Sequence, residues 1–291
     1  MTTIITGRFA PLLNSQLALM RAAAAGSGEV IVAITGAEAS SQSRFPWTAE
    51  ERETMIRTAL GEAAGRVSFR HSDDNPYLGR RQDCPTRDQE EAICAAYFAG
   101  DDDKVEAAVP ASVFEAMQAF RASPDYDRLS EEARYIAKYR ADWIDAPWPP
   151  TFITVDTFIT CADHLLLIKR GGLPGKGLWA LPGGFVEQKE WVKDAALREL
   201  REETGLVLTD DEIKACLKAQ AVFDDPYRSA RGRTVTHGFH FDLSGQPPNV
   251  EGADDAQDAR WWPLVELSAL HGQYLEDHGQ IIEYFLGGGA N

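Results

Sequence analysis

The chain has 291 residues, room for two domains of ordinary size, and its 44% hydrophobic and 25% charged residues fit a soluble globular protein. With 45 acidic against 29 basic residues, the formal net charge is −16, a field that repels a phosphate backbone and argues against DNA or RNA as partner. No apolar run reaches membrane-spanning length, the N-terminus lacks a secretory pattern, and Cys84, Cys94, Cys161 and Cys216 form no CxxC pair, so a reducing cytoplasm is expected and a disulfide framework or zinc site is not.

In chain order, an apolar strand at Thr3–Thr6 leads through Gly7-Arg8-Phe9 into a helix over about Ser15–Ala25, and a second strand spans Glu29–Thr35. Thr48 is placed to cap a helix, with Glu51 three residues on completing a capping box, and a third strand follows at Val67–His71. This alternation predicts a parallel, Rossmann-like sheet. From Ser72 to Asp88 the pattern fades into polar loop, and helical segments run from about Gln89 to Arg140. The stretch Asp145–Pro150 holds three prolines and cannot continue a helix, which puts a domain boundary near residue 147 (1–146 and 147–291). Beyond it, Thr151–Thr160 and Leu165–Lys169 are expected to form paired strands.

The most informative segment runs from Gly183 to Leu206. Residues Lys189–Thr204 favour a helix, and Gly205 stands where a C′ glycine would end it. Glu199, Glu202 and Glu203 lie at i, i+3 and i+4, so three mutually repelling carboxylates project from one face. A solvated acidic face is the ordinary meaning of such a run, but a hard divalent cation would relieve the repulsion. Gly183 and Gly184, just upstream, can bring a backbone carbonyl to the same ion.

Gly184, Glu190, Arg198, Glu199, Leu200, Glu202, Glu203, Gly205 and Leu206 match every fixed position of G-x5-E-x7-R-E-U-x-E-E-x-G-U, the Nudix box, where U is aliphatic. Average residue usage would give that match in roughly one chain in a million. The segment therefore resembles a Nudix hydrolase. The resemblance implies that Glu199, Glu202 and Glu203, with the Gly184 carbonyl, hold magnesium (manganese being the alternative), and that a Glu190–Arg198 salt bridge fixes the loop to the helix. It also implies that the bound metal neutralises a diphosphate and activates water.

The segments Thr151–Asp156, Gly175–Gly184, Phe223–His237 and Tyr274–His278 resemble more narrowly the bifunctional nicotinamide-mononucleotide adenylyltransferase/Nudix hydrolases. Their Nudix domain cleaves ADP-ribose to AMP and ribose 5-phosphate. Arg228, Arg231 and Arg233 are candidates for a phosphate clamp, although they could simply balance Asp224 and Asp225. Trp179 and Phe223 could stack on adenine or belong to the core. Glu276 is a candidate general base or further metal ligand, or a helix N-terminal acid. His237 and His278 are more often structural than catalytic.

The first domain resembles the nucleotidyltransferase half of the same family through Gly7–Pro11 and Phe45–Arg52. That family carries H-x-G-H next; this chain has Leu13-Asn14-Ser15-Gln16. Neither leucine nor a neutral amide replaces two imidazoles on a triphosphate, and losses of this kind cost about two to three orders of magnitude in rate. The late S-x-T-x-I-R motif is unrecognisable, with Cys94 where arginine belongs, and the polar stretch after Tyr77 is short against the family pattern. The expectation is a degenerate nucleotidyltransferase domain followed by a Nudix α/β/α sandwich with a mixed sheet. A homodimer acting on a small nucleotide follows from the resemblance. A Nudix hydrolase of another nucleoside diphosphate derivative, or a non-catalytic ADP-ribose sensor, are the alternatives.

Overall fold

Two runs rich in β-branched and apolar residues become β1 (Thr2–Gly7) and β2 (Glu29–Thr35), and the more polar β3 (Val67–Ser72) joins them in a parallel sheet ordered β1-β2-β3, with Ile4 opposite Ile31 and Ile31 opposite Ser68. The computed structural model describes residues 2–37, 39, 41–73, 75–79 and 86–287; Cys84 and part of the polar stretch after Tyr77 lie outside them. The chain divides into two compact units, Met1–Ala137 and Lys138–Asn291.

In the first unit the strands alternate with α1 (Asn14–Ala25) and α2 (Ala49–Leu60). The capping box of α2 forms as anticipated, Glu51 N–H donating to Thr48 Oγ1 at 3.2 Å and Thr48 N–H to Glu51 Oε2 at 2.8 Å. The helical stretch after the loop resolves into α3 (Arg87–Ala99), α4 (Asp102–Ala108), α5 (Ala111–Phe120) and α6 (Pro124–Ala141). Their apolar faces join Leu17, Met20, Val32, Ile34 and Ile56 in one core around Tyr97, whose hydroxyl donates to the Met117 carbonyl at 2.6 Å. Arg52 is also buried here, and its guanidinium donates to the carbonyls of Arg8, Thr35 and Gly36 at 2.7, 2.9 and 3.0 Å. That satisfies a charge that would otherwise be costly to bury.

The second unit is built on a mixed sheet ordered β10-β5-β4-β9-β8, from β4 (Phe152–Cys161), β5 (His164–Arg170), β8 (Leu217–Phe223), β9 (Thr234–Leu243) and β10 (Ala256–Pro263). Short β6 (Trp179–Ala180) pairs with β5, and β7 (Gly183–Phe185) with β4; the β4–β9 pairing is parallel and the others antiparallel. Helix α7 (Val192–Thr204) buries Ala195, Ala196, Leu197 and Leu200 against Val155, Ile159, Leu166 and Phe241. Two further helices are α8 (Asp210–Ala215) and α9 (His278–Leu286). Helix α7 starts three residues later than helix propensity suggests. Glu190 closes a turn onto the Glu187 carbonyl and its side chain is engaged by Arg198, so Lys189–Trp191 stay extended or turned. Gly205 ends the helix at φ 61°, in the left-handed region expected of it.

Candidate active site

Gly183 and Gly184 are closely packed on two sides: a Cβ on Gly183 would lie 2.0 Å from the Val155 carbonyl of β4, and one on Gly184 2.5 Å from the Glu199 carboxylate of α7. Glu203, 2% exposed, accepts the Gly183 N–H at 2.8 Å. Arg198 grips Glu190 with two hydrogen bonds of 2.8 and 2.9 Å, donates to the Phe185 carbonyl at 3.1 Å, and bridges Glu199 and Glu202 at 2.8 and 2.9 Å. The anticipated Glu190–Arg198 pair thus ties β7 to the carboxylate helix. Hydrogen bonding to Glu190 and its neighbours holds the guanidinium protonated, and the Arg198 hydrogen bonds hold the Glu190 carboxyl below its usual range.

These groups open onto a cleft of about 240 Å³. Its lining brings together Gly184, Glu199, Glu202, Glu203, Arg228, Arg231 and Glu276, seven of the residues singled out in the sequence. The loop Asp224–Arg233 between β8 and β9 carries the arginines, and each has a different fate. Buried Arg228 forms a two-pronged pair with Asp277, both bonds 3.0 Å, and stands 3.5 Å from Asp156. Arg231 lies 4.9 Å over the Phe185 ring, facing the cleft. Arg233 donates to the Asp224 carbonyl and pairs with its carboxylate at 3.7 Å, so for this arginine the charge-balancing role prevails and it does not line the cleft. Glu276 accepts the Ala230 N–H at 2.8 Å and adopts φ 42°, which clasps its segment to the arginine loop.

Of the two roles considered for Trp179 and Phe223, stacking or core, their packing favours the core. Trp179 is buried edge-to-face against Trp262 at 5.1 Å, and Phe223 fills the space over Gly238 against Tyr284 and Phe285; neither lines the cleft. Conversely, Thr154, Asp156, Arg170, Asp254 and Asp255 line it without having been proposed, as does His278, which was weighed as structural rather than catalytic. Asp254 and Asp255 arrive because Glu251 and Ala253 donate to the carbonyls of Thr204 and Glu203, the orphan acceptors of the last turn of α7. Asp156 was detectable as the one charged residue within the strand-forming run Ile153–Ile159, whose other members are threonine or apolar. His278 accepts the Leu181 N–H on Nδ1 at 2.9 Å, the structural role expected of it.

Electrostatically the cleft suits a hard cation. Its lining holds seven carboxylates (Asp156, Glu199, Glu202, Glu203, Asp254, Asp255, Glu276) against four guanidinium groups. Burial, reinforced by Glu199 and Asp156, pushes the Glu203 carboxyl up to about 8, and burial raises Glu199 as well. Among the described residues no three His, Cys, Asp or Glu side chains stand ready-made around one point, because Arg198 bridges two of the acids and Glu203 turns to Gly183. An all-oxygen donor set with excess, destabilised negative charge nevertheless fits magnesium or manganese.

In the first unit, Gln16 occupies the second histidine position. It is buried, accepts the Leu13 N–H at 2.8 Å, and donates to Glu90 Oε1 and Thr86 Oγ1, both at 2.7 Å. Glu90 Oε2 in turn accepts the Ala10 N–H at 3.2 Å, while the Cys94 thiol donates to the Ala10 carbonyl at 3.4 Å. Burial raises the Glu90 carboxyl and the Cys94 thiol. The turn after Phe9 is thus occupied by the protein's own side chains.

A carboxylate helix packed on a mixed sheet, fastened by a glutamate–arginine pair and open to an acidic cleft, defines a Nudix-type hydrolase. Residues 150–285 match the NUDIX domain. An ADP-ribose pyrophosphatase from Methanocaldococcus jannaschii is 37% identical over 134 residues, 46% of this chain and 72% of that one. The ADPR responsive transcriptional repressor NtrR of Acinetobacter baylyi is 39% identical over 161 residues, 53% of this chain and 59% of the repressor. A bifunctional NMN adenylyltransferase/ADP ribose pyrophosphatase from Francisella tularensis superposes with a TM-score of 0.90 at 26% identity, covering 98% of both chains. That protein has also been solved with AMP and a manganese ion, with a TM-score of 0.88 at 26% identity over 99% of both chains. The chain belongs to the Nudix hydrolase family, with the two-part fold of a nucleotidyltransferase-like unit followed by a Nudix domain.

Proposed function

We propose that the protein hydrolyses ADP-ribose to AMP and ribose 5-phosphate with magnesium, through a Nudix domain beginning at residue 147. The observation that carries this reading is the gathering of Glu199, Glu202 and Glu203 with Arg228 and Arg231 in the lining of one cleft. Similarity to the Methanocaldococcus jannaschii ADP-ribose pyrophosphatase supports the substrate. Glu199, Glu202, Glu203 and the Gly184 carbonyl would hold the cation, which when bound supplies charge neutralisation at the diphosphate and a more acidic water. Arg231 faces the anionic substrate; Arg228, locked between Asp277 and Asp156, positions the loop that carries it. Glu276 faces the same cleft and is the candidate proton acceptor.

The first unit, in this reading, has lost adenylyltransferase activity, since Leu13 and Gln16 offer no imidazole and Glu90 takes the Ala10 N–H. The protein acts as a cytoplasmic homodimer on a small nucleotide. Incubation with ADP-ribose and magnesium, with an EDTA control, should release AMP only when the metal is present. A panel including NADH, dinucleoside polyphosphates and nucleotide sugars should rank ADP-ribose first by kcat/KM, and a clear leader elsewhere would reassign the substrate. ATP and nicotinamide mononucleotide should give no NAD.

A further inference from the structure

The cleft contains two polar groups that the fold leaves unsatisfied. Thr154 lies on β4, is 7% exposed and lines the cleft, yet its Oγ1 has no hydrogen-bond partner in the protein. Buried hydroxyls are nearly always paired. Arg231 Nε, also buried and in the wall of the same cleft, is likewise without a partner. The two belong to one corner. Thr154 is the cross-strand partner of Phe185, so their side chains share a face of the sheet, and the Arg231 guanidinium lies 4.9 Å over that same ring. Asp156, two residues along β4 on the same face, is by contrast engaged by the Thr236 hydroxyl at 2.7 Å and by Arg228 at 3.5 Å.

We infer that Thr154 and Arg231 form a subsite for a phosphoryl oxygen of the substrate's diphosphate, an inference that deepens the ADP-ribose reading and rests on it for the substrate's identity. A guanidinium only donates, and a threonine hydroxyl can donate as well, so the corner is complementary to an acceptor. Because one donor is charged, and stacking on Phe185 limits its orientation, an anionic oxygen is the matching acceptor. The subsite shares its cleft with Glu199, Glu202 and Glu203, so one diphosphate could engage both the carboxylate-bound cation and this corner.

The test uses the full chain with Thr154→Val, which keeps the shape and removes the hydroxyl, and Thr154→Ser, which keeps the hydroxyl. Steady-state kinetics are measured on whichever diphosphate the wild type cleaves best, and calorimetry measures the Kd of methylenediphosphonate, which has two phosphoryl groups and no sugar, in the presence of magnesium. Thr154→Val should melt no lower than wild type, because no protein hydrogen bond is lost. It should raise KM and the methylenediphosphonate Kd by about tenfold, the value of one hydrogen bond to an anion, with kcat within about threefold. Thr154→Ser should restore both constants. An unchanged Kd would overturn the inference, and a raised KM with an unchanged Kd would assign the corner to a sugar hydroxyl instead. A lowered melting temperature in Thr154→Val would show that the hydroxyl serves the fold. Because the Kd does not depend on turnover, it tests the subsite even where ADP-ribose is not cleaved, a result that would sink the substrate assignment alone.

Discussion

Glu203 shows how a single side chain can be placed against its own electrostatic preference. Its carboxyl is buried beside Glu199 and Asp156, which outweighs the Gly183 N–H and Arg170 that favour the charged form, and it is pushed up to about 8 from the ordinary 4.5. A folded-state value above the unfolded one means that the protonated group's contribution to stability is fully present below about 4.5 and is lost as pH rises through about 8. With EDTA present, the melting temperature of the wild type should therefore fall across that interval more steeply than that of Glu203→Gln, which cannot ionise. The same substitution should raise the melting temperature near pH 8 and lower kcat by about two to three orders of magnitude. A variant both less stable and fully active would contradict the placement of Glu203 in the cleft. Saturating magnesium should shrink the pH difference between the two proteins, since the cation compensates the charge that burial penalises.

At the scale of elements, β7 and α7 meet through two glycines whose roles differ. The missing Cβ of Gly183 faces the backbone carbonyl of Val155 on β4, which cannot retreat without breaking the β4–β7 pairing. The missing Cβ of Gly184 faces the end of the Glu199 side chain, which can move. Gly183→Ala should therefore destabilise the protein by about 1–3 kcal/mol in chemical denaturation. Gly184→Ala should leave the denaturation midpoint nearly unchanged and lower kcat/KM about a hundredfold, because it displaces a carboxylate proposed to hold the cation rather than a strand. Equal losses of stability in the two variants would refute this division. The carboxylate helix was legible in the sequence because its chemistry is local: spacing of three and four residues puts the acids on one face whatever the rest of the chain does. Thr154, Arg170, Asp254 and His278 were not legible as a group. They meet only through the pairing of β4 with β7, the packing of β5 and the docking of the 251–255 loop on the end of α7. The separate fates of Arg228, Arg231 and Arg233 also escaped the sequence, because the segment is a loop rather than a strand and alternation does not sort its side chains.

For the molecule as a whole, the two units carry separate cores and unequal sites. Every residue lining the described cleft lies in Lys138–Asn291, whereas in Met1–Ala137 the turn after Phe9 is filled by Gln16, Glu90 and Cys94. A ligand stabilises the structure it binds by mass action, about 2.7 kcal/mol at a hundredfold excess over Kd, and slows amide exchange where opening is suppressed. Hydrogen exchange should therefore separate the units. AMP, the product of the proposed reaction, together with magnesium should protect the amides of Gly183–Phe185 and the N-terminal turns of α7. ATP with nicotinamide mononucleotide should leave the amides of Ala10–Leu13 and the first turn of α1 exchanging as in the free protein. The Ala10 N–H is the decisive probe. It already donates to Glu90 at 3.2 Å, so a phosphate could reach it only by displacing a buried carboxylate whose raised affinity for protons shows how poorly it tolerates isolation. Protection at Ala10 on adding ATP would mean that this exchange of anions occurs and that the first unit still binds nucleotide. Glu90→Gln offers the control, because it keeps the size and shape of the side chain while removing the competing charge, at the cost of one of its two acceptors. If charge alone keeps phosphate out, protection at Ala10 should emerge in that variant; if the packing of Gln16, Thr86 and Cys94 closes the turn, it should stay absent.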